Sequence, residues 1–175
     1  MICSNHKLSL RYIKKEDLLS LHNDYYGDVE SSKYLARKNH VSIDQTKDLL
    51  AKYSNQKSLS ENGIVIWVIE AIENSDPVGV ITLIRKTEEI EIHVGVVSSH
   101  TQKGYASVAL KLSSEFCISS KLAKAVISYT DITHVATQKT FLKAGFTLGK
   151  LYRKYYVAPQ LSSSERDVYL FKYPA

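Results

Sequence analysis

The sequence contains little cysteine, and no cysteine or histidine has the spacing of a metal site. Cys3 and Cys117 are the two cysteines among 175 residues, and the six histidines form no HExxH motif or close pair. Zinc sites and disulfide scaffolds use paired ligands at short, recognisable spacings. We therefore expect no metal site and no disulfide framework. We expect Cys117 to be a small core residue.

Long apolar runs and blocks of like charge are also absent. No run approaches the roughly 18 apolar residues of a membrane span, and residues 1–7 lack the apolar core of a signal peptide. We therefore expect a cytoplasmic protein without a membrane partner. The formal net charge of +5 is compatible with a nucleic acid or an anionic cofactor. The basic residues are scattered and no nucleic-acid motif accompanies them, so a nucleic-acid partner is not favoured.

The remaining composition and the order of elements predict one globular domain over residues 1–175. The first part predicts a strand and three helices, over 8–13, 15–27, 28–38 and from 42 onwards, with a loop through 54–58 and 61–63. Three strands with short turns follow as an antiparallel meander, over 64–72, 78–84 and 90–97. Helices over 106–118 and 133–144 then alternate with strands over 125–129, 146–156 and 167–172. This order predicts an α+β fold with a mixed central sheet, and no GxGxxG motif supports a Rossmann fold.

The segment from Val94 to Ser107 organises the rest of the chain. It is predicted to be a strand that runs into a short loop, with Gly104 where a helix begins. A helix start presents free backbone N–H groups and the positive end of its dipole, and both attract anions. The short side chains of Gly104 and Ala106 would let a phosphate approach the backbone. The segment therefore predicts a pyrophosphate site.

Short motifs are distributed along the chain: Tyr34-Leu35 with His40 and Ser42, Trp67, Pro77-Val78-Gly79, Gly95-Val96-Val97, Lys103-Gly104-Tyr105-Ala106 and Phe141-Leu142-Lys143-Ala144-Gly145-Phe146. In this order they resemble the GNAT family of N-acetyltransferases, in particular the ribosomal-protein alanine/serine N-acetyltransferases. The resemblance covers nearly the whole chain. It implies a mostly antiparallel sheet flanked by helices, with acetyl-CoA at a splay between the parallel strands 90–97 and 125–129.

The resemblance also implies which residues bind acetyl-CoA. The phosphate-loop pattern Arg/Gln-x-x-Gly-x-Gly/Ala falls on Thr101, Gln102, Lys103, Gly104, Tyr105 and Ala106, and Thr101 departs from the pattern at the first position. The backbones of Val96 and Val97 would pair with the pantetheine arm as a strand does. On the following helix, the resemblance places His134 and Thr137 at the cofactor, although His134 could instead face solvent at the start of the helix. We also assign Phe141 and Lys143 to the cofactor, although Lys143 could instead be a surface lysine.

Acetyl transfer to an amine needs a neutral amine, a polarised thioester and a stabilised thiolate. The family's glutamate base falls at His93, with Glu91 two residues earlier on the same strand face. Histidine accepts a proton near neutral pH, although an outward-facing pair in water fits the same spacing. We group Thr137 with these two as candidate catalytic residues. Candidates for the thiolate's acid or for the acceptor pocket are Tyr25, Tyr26, Tyr34 and Tyr129.

The resemblance implies an acyltransferase that moves the acetyl group of acetyl-CoA to a primary amine, by direct attack in a ternary complex. The acceptor could be a protein N-terminus or a small molecule such as an antibiotic or polyamine, and the protein a monomer or homodimer. The alternative is a catalytically silent acetyl-CoA-binding module that acts as a sensor or scaffold. The departures at Thr101, His93 and His134 motivate it. The residues do not decide between Glu91 and His93 as the base.

Overall fold

One eight-stranded sheet takes strands from both ends of the chain. The computed structural model describes residues 1–55 and 57–174. The strands are β1 Cys3–Ser4, β2 Leu8–Tyr12, β3 Ile64–Ala71, β4 Pro77–Arg85, β5 Glu89–Val96, β6 Ala125–Asp131, β7 Thr147–Val157 and β8 Glu165–Tyr173. Their order is β1-β2-β3-β4-β5-β6-β8-β7. Neighbouring strands are antiparallel except β5 and β6, which are parallel.

Helices cover both faces of this sheet. They are α1 Asp17–Leu21, α2 Val29–Ser32, α3 Ile43–Tyr53, α4 Ser58–Glu61, α5 Tyr105–Ser119 and α6 Val135–Lys143. A π-helical turn, His22–Tyr26, continues α1, and a 3₁₀ turn, Ser98–His100, precedes α5. The capping box predicted at Ser42 and Gln45 begins α3. The α+β plan, with its mixed and mostly antiparallel sheet flanked by helices, is confirmed.

Three local predictions differ from the structure. The helix predicted over 28–38 is a single turn, Val29–Ser32, which the Asp28 carboxylate caps by accepting from the Ser31 N–H at 2.9 Å. Valine and consecutive serines are weak helix formers, so the cap does not extend the helix. The loop predicted through 54–58 and 61–63 contains α4, and Gln56 lies outside the described residues. The two-residue strand β1 was too short to predict.

The two faces of the sheet bury separate apolar clusters. On one face, α5 and α6 pack over the sheet through fully buried or nearly fully buried side chains such as Leu110, Cys117 and Phe141. Cys117 is a core residue, as predicted. On the other face, α1, the π-helical turn and α3 bury a smaller cluster that includes Leu21, Tyr25, Tyr26, Leu50, Ile66, Val68 and Val80. Burial of apolar area on both faces fixes the orientation of the central strands.

Among the described residues, no helix is both long enough and apolar enough to cross a bilayer.

Candidate active site

The parallel strands β5 and β6 separate shortly after they begin to pair. Their register runs only from Glu89 opposite Ala125 to Glu91 opposite Ile127. Both strands continue beyond this point, to Val96 and Asp131. In the described chain no further β5–β6 pairing occurs, so their facing edges form an open wedge.

A buried hydroxyl marks the start of this wedge. Ser128 is fully buried, and its Oγ donates to the carbonyl oxygen of Ile92 at 2.6 Å. This side-chain hydrogen bond takes the place of the next backbone hydrogen bond between β5 and β6. It satisfies a backbone acceptor that would otherwise lose its partner where the strands separate.

A tyrosine lies directly against the backbone of β5 on one face of the sheet. A Cβ atom at Gly95 would lie 2.0 Å from the Tyr25 hydroxyl oxygen, and one at Gly79 on β4 would lie 2.2 Å from the carbonyl oxygen of Gly95. No side chain fits at either position without moving its neighbours. Gly79 and Gly95 therefore keep this part of the sheet flat enough for the Tyr25 ring to pack on it.

The loop between β5 and α5 has the form of an anion site. Gln102 and Gly104 both have positive φ, of 61° and 80°, and α5 begins directly after Gly104. Within the described structure, no acceptor lies on the backbone N–H groups of residues 102–107. Residues 97–107 contain no acidic side chain. A row of unpaired N–H groups at a helix start favours a phosphate.

Two side chains complete this loop in ways that the loop sequence does not reveal. The Lys7 ammonium donates to the Lys103 carbonyl oxygen at 2.5 Å and lies 5.3 Å from the centre of the Tyr105 ring. No carboxylate pairs with Lys7 among the described residues, so its charge is available to an anion. Thr101, at the pattern's first position, is exposed, and its hydroxyl donates to the Ser98 carbonyl at 2.9 Å.

The two strand residues assigned to the pantetheine arm, Val96 and Val97, differ in whether their backbone groups are free to bind it. Val97 donates its N–H to the Val78 carbonyl at 3.0 Å, and its own carbonyl accepts from the His100 N–H at 2.9 Å. The β4–β5 ladder and the 3₁₀ turn therefore use both of its backbone groups, contrary to the expectation that it offers them to a cofactor. Val96 is the last β5 residue at the wedge and is half-buried.

The two candidate residues at the start of α6 lie at the end of β6. His134 caps the helix, and its ring stacks on Tyr34 with the ring centres 4.0 Å apart. Burial lowers the pKa of His134, with the charge of Lys33 acting in the same direction and that of Asp131 opposing it. The ring is therefore neutral at pH 7 and can donate one hydrogen bond. Thr137 lies one turn further along α6 and is half-buried.

The other two residues assigned on α6 lie elsewhere. Phe141 is 2% exposed, and its ring packs between Phe146 and Phe171 at centre distances of 5.2 and 5.0 Å. It is a core residue that faces no open space, contrary to its assignment to the cofactor. Lys143 is exposed at the far end of α6. Six residues separate it from Thr137, which is about 9 Å along the helix axis.

The predicted pair on β5 does form a hydrogen-bonded unit. His93 Nε2 lies 2.7 Å from Glu91 Oε1, and Lys86 Nζ lies 3.0 Å from Glu91 Oε2. Glu91 is 8% exposed, whereas the side chain of His93 is 39% exposed. One oxygen of the buried carboxylate therefore binds the Lys86 ammonium and the other binds an accessible imidazole. The sequence did not predict the part played by Lys86.

The protonation of this pair follows from its partners. Burial raises the pKa of Glu91, but hydrogen bonds and charges from His93 and Lys86 outweigh it, so that the net pKa lies below its ordinary value. Glu91 is therefore a carboxylate at pH 7. A carboxylate can only accept, so a neutral His93 donates from Nε2 and keeps the lone pair on Nδ1. That nitrogen is free to accept a proton.

The opposite side of the wedge is lined by tyrosine. Burial, assisted by its tyrosine neighbours Tyr155 and Tyr152 and by the charge of Glu91, raises the pKa of Tyr129 to about 12. Its hydroxyl is therefore protonated at neutral pH and can donate a hydrogen bond. Tyr155 stacks on Tyr129, with ring centres 4.7 Å apart. Of the four tyrosines named from the sequence, Tyr25 and Tyr26 are buried in the smaller cluster.

The far end of β6 holds a second buried carboxylate. Asp131 accepts from the Arg166 guanidinium, from the backbone N–H and hydroxyl of Thr133 at 2.8 and 2.6 Å, and from the Tyr156 hydroxyl at 3.0 Å. Burial alone would raise the pKa of Asp131, but these donors lower it to about 2. The group joins β6, β7, β8 and the turn before α6.

In the part of the chain that the structure describes, no cluster of three His, Cys, Asp or Glu side chains could hold a metal ion.

Comparisons with known proteins agree with this geometry. No curated protein matches the chain significantly. Among solved structures, spermidine N-acetyltransferase from Vibrio cholerae, in complex with CoA and spermine, is 16% identical, with 96% of this chain and 95% of that chain covered and a TM-score of 0.79. The ribosomal-protein acetyltransferase RimL, in complex with coenzyme A, is 15% identical, with 98% and 96% covered and a TM-score of 0.83.

A third structure is the Microcin C7 self-immunity acetyltransferase MccE, in complex with acetyl-CoA and AMP. It is 15% identical, with 98% of this chain and 94% of that chain covered and a TM-score of 0.85. At such identities the likeness establishes the fold, and the sequence match establishes the family. The profile of the acetyltransferase (GNAT) domain matches residues 7–147, most of the chain. The chain belongs to the GNAT acetyltransferase family.

Proposed function

We propose that the protein transfers the acetyl group of acetyl-CoA to a primary amine by direct attack in a ternary complex. The main support is that a loop suited to phosphate and a candidate proton acceptor lie close together along β5. An acid-free loop with a row of unpaired N–H groups follows a strand whose free edge opens onto the His93–Glu91 pair. A phosphate site and a proton acceptor thus lie along the same wedge. Family membership and neighbours solved with CoA or acetyl-CoA support acetyl-CoA as the co-substrate.

The proposed cofactor site uses the loop, the free edge of β5 and the start of α6. The unpaired N–H groups from Gln102 to Ala106 would bind the pyrophosphate, as the dipole of α5 favours negative charge there. Val96 would present its backbone to the pantetheine arm. His134 and Thr137 would donate hydrogen bonds from the other side of the wedge. Because its N–H is already bonded, Val97 is left out, and the buried Phe141 is left out too.

In the proposed chemistry His93 is the base and Glu91 positions it. Glu91 is buried, and both of its oxygens are bonded, so it is poorly placed to meet an amine. Its carboxylate holds His93 in the tautomer whose Nδ1 accepts the amine's proton, directly or through water. The neutral amine attacks the thioester carbon, and the C–S bond breaks to release the CoA thiolate.

Tyr129 is the proposed donor to the leaving sulfur. Because the pKa of Tyr129 is raised to about 12, its hydroxyl keeps its proton and stabilises the thiolate by a hydrogen bond. The mechanism requires neither a metal nor an acyl-enzyme. We place the protein in the cytoplasm, where acetyl-CoA is available.

Thiol release from acetyl-CoA in the presence of amines tests the proposed function. The acceptors would be a polyamine, an aromatic monoamine and peptides with free N-termini, each with its N-acetylated form as a blank. We expect acceptor-dependent thiol release that falls at least tenfold in His93→Gln. Tight acetyl-CoA binding without release for any acceptor would instead support the silent sensor or scaffold.

A further inference from the structure

The edge strand β7 contains an irregularity beside the wedge. Tyr152 pairs with Val168 and Tyr156 with Arg166, so four steps along β7 match two steps along β8. Lys154, inside the bulge, has a φ of 50°, a left-handed conformation that is uncommon for residues other than glycine. Bulges often re-aim side chains next to active sites.

A carboxylate from β8 holds this bulge in place. Asp167 accepts from the backbone N–H of Lys154 at 2.9 Å and from the Arg153 guanidinium at 3.2 Å. The bulge is therefore a built feature with its own hydrogen bonds. It places two more residues in β7 than regular pairing with β8 would allow.

The bulge brings two β7 tyrosines next to a tyrosine of β6 at the open end of the wedge. We call the three residues the tyrosine wall: Tyr129, Tyr152 and Tyr155. Their ring centres lie 4.7 to 5.9 Å apart. Tyr152 is 37% exposed and Tyr155 is 45% exposed. Glu91 pairs with Ile127, and Tyr129 lies two residues further along β6, so the wall and the Glu91–His93 pair share one face of the sheet. The charge of Glu91 raises the pKa of both Tyr129 and Tyr155, in each case after the larger effect of burial.

The carboxylates on this face are already paired with cations. On β5 and β6 they are Glu89, Glu91 and Asp131, whose partners are Lys172 at 3.6 Å, Lys86 at 3.0 Å and the Arg166 guanidinium. A polyamine site needs unpaired anions spaced along the bound chain, because each further ammonium loses solvation on binding. The described residues of these two strands offer none on this face. Exposed aromatic rings remain as the available binding surface.

We propose that the tyrosine wall binds the group next to the reacting amine and selects acceptors with a planar or apolar group there over polycations. This inference rests on the proposed function and names its substrate class. Stacked or edge-on ring contacts with the wall would position the amine toward His93. Tyr155, on the bulge, is the specificity-determining residue.

Equilibrium binding to the CoA-loaded protein tests this without requiring turnover. The probes are tryptamine, phenylalanyl-alanine amide and spermidine, each titrated by isothermal calorimetry. We expect tryptamine or the dipeptide amide to bind at least tenfold more tightly than spermidine. The tighter of these two shows whether the acceptor is a free amine or a peptide N-terminus.

Variants then assign the preference to the wall. Tyr155→Ala should weaken the aromatic probes about three- to tenfold, the range of an aromatic pair, and leave spermidine and CoA binding unchanged. Tyr155→Phe should bind as the wild type does. The control is Leu148→Ala: Leu148 is an exposed β7 residue paired with Phe171, on the opposite face of the strand.

Three results would overturn the inference. They are spermidine binding as tightly as the aromatic probes, Tyr155→Ala weakening all probes equally, and no probe binding the CoA-loaded protein. Failure of the proposed function looks different, because tight and selective binding would then be seen without thiol release.

Discussion

Two buried carboxylates lie on the same face of the sheet, one at each end of the wedge, and they differ in their partners. Asp131 accepts five hydrogen bonds, from Arg166, Thr133 and Tyr156, and its pKa falls to about 2. Glu91 accepts two, and one of them comes from the accessible ring of His93. Asp131 is saturated by fixed groups, whereas Glu91 is bonded to a group that can reach solvent or substrate.

We propose from this difference that Asp131 has a structural role and that Glu91 supports catalysis. Burial alone does not distinguish them, since both side chains are less than a tenth exposed. What distinguishes the two carboxylates is whether a hydrogen-bonding partner is accessible. Changing Asp131 should therefore affect mainly stability, and changing Glu91 mainly activity.

Removal of the Asp131 charge should have the largest effect. In Asp131→Asn the Arg166 guanidinium loses its anion, and the new amide NH₂ faces other donors. We expect the free energy of unfolding to fall by about 3–5 kcal/mol, as for a broken buried pair. Urea unfolding measures this. Asp167→Asn is the control, since its partner Arg153 is largely exposed and a loss of about 1 kcal/mol or less is expected. Equal losses in the two variants would contradict the structural role of Asp131.

Glu91→Gln should have the opposite effect: a large loss of activity with little loss of stability. The amide keeps the shape of the side chain but removes the charge that positions His93, so we expect kcat to fall about 10- to 100-fold. The free energy of unfolding should change by less than about 1 kcal/mol. Thiol-release kinetics and urea unfolding on the same preparation measure both. An activity like that of the wild type would show that Glu91 does not support the base.

Acid should show the stabilising effect of the Asp131 charge in the unmutated protein. The folded-state pKa of Asp131 is about 2, below its ordinary value of 3.8. Its charge therefore stabilises the fold above about pH 4, and this contribution is lost as the pH falls toward 2. The expected loss is about 2 kcal/mol. Urea unfolding between pH 5 and 2 measures it, and Asp131→Asn should show a flatter dependence. Parallel curves for the two proteins would contradict the assignment.

Lys7 should have the smallest effect, confined to the cofactor. In Lys7→Met we expect the KM for acetyl-CoA to rise about three- to tenfold, because one charge near the phosphates is lost. Thioesters lacking the 3′-phosphate or the whole nucleotide locate the contact. If Lys7 binds phosphate, the variant and the wild type should become equal once that phosphate is absent. A penalty that persists with acetyl-pantetheine would exclude a phosphate contact, and Lys47→Met, at an exposed site on α3, is the control.

The sequence predicted those parts of the site that depend on local pattern. Period-two alternation placed Glu91 and His93 on one strand face, and Gly104 marked the start of α5. The strand order of the meander followed from short turns. These features depend on residues close together in the chain, so the sequence pattern records them directly.

The parts that were missed depend on contacts between distant residues. Lys7 reaches Lys103 across 96 positions, and the bulge that places Tyr155 depends on Asp167 of another strand. The N–H of Val97 is occupied because it donates to the Val78 carbonyl of the neighbouring strand β4. No local periodicity encodes such contacts, because they arise when separate elements pack together.

The most direct test of the account is the pH dependence of kcat/KM for the acceptor in the wild type and in His93→Gln. If His93 is the base, the variant should be slower by tenfold or more, and its rate should decline less steeply in acid than that of the wild type, because only the acceptor amine then still has to lose a proton. A variant that keeps both the wild-type rate and its acid decline would show that His93 is not the base.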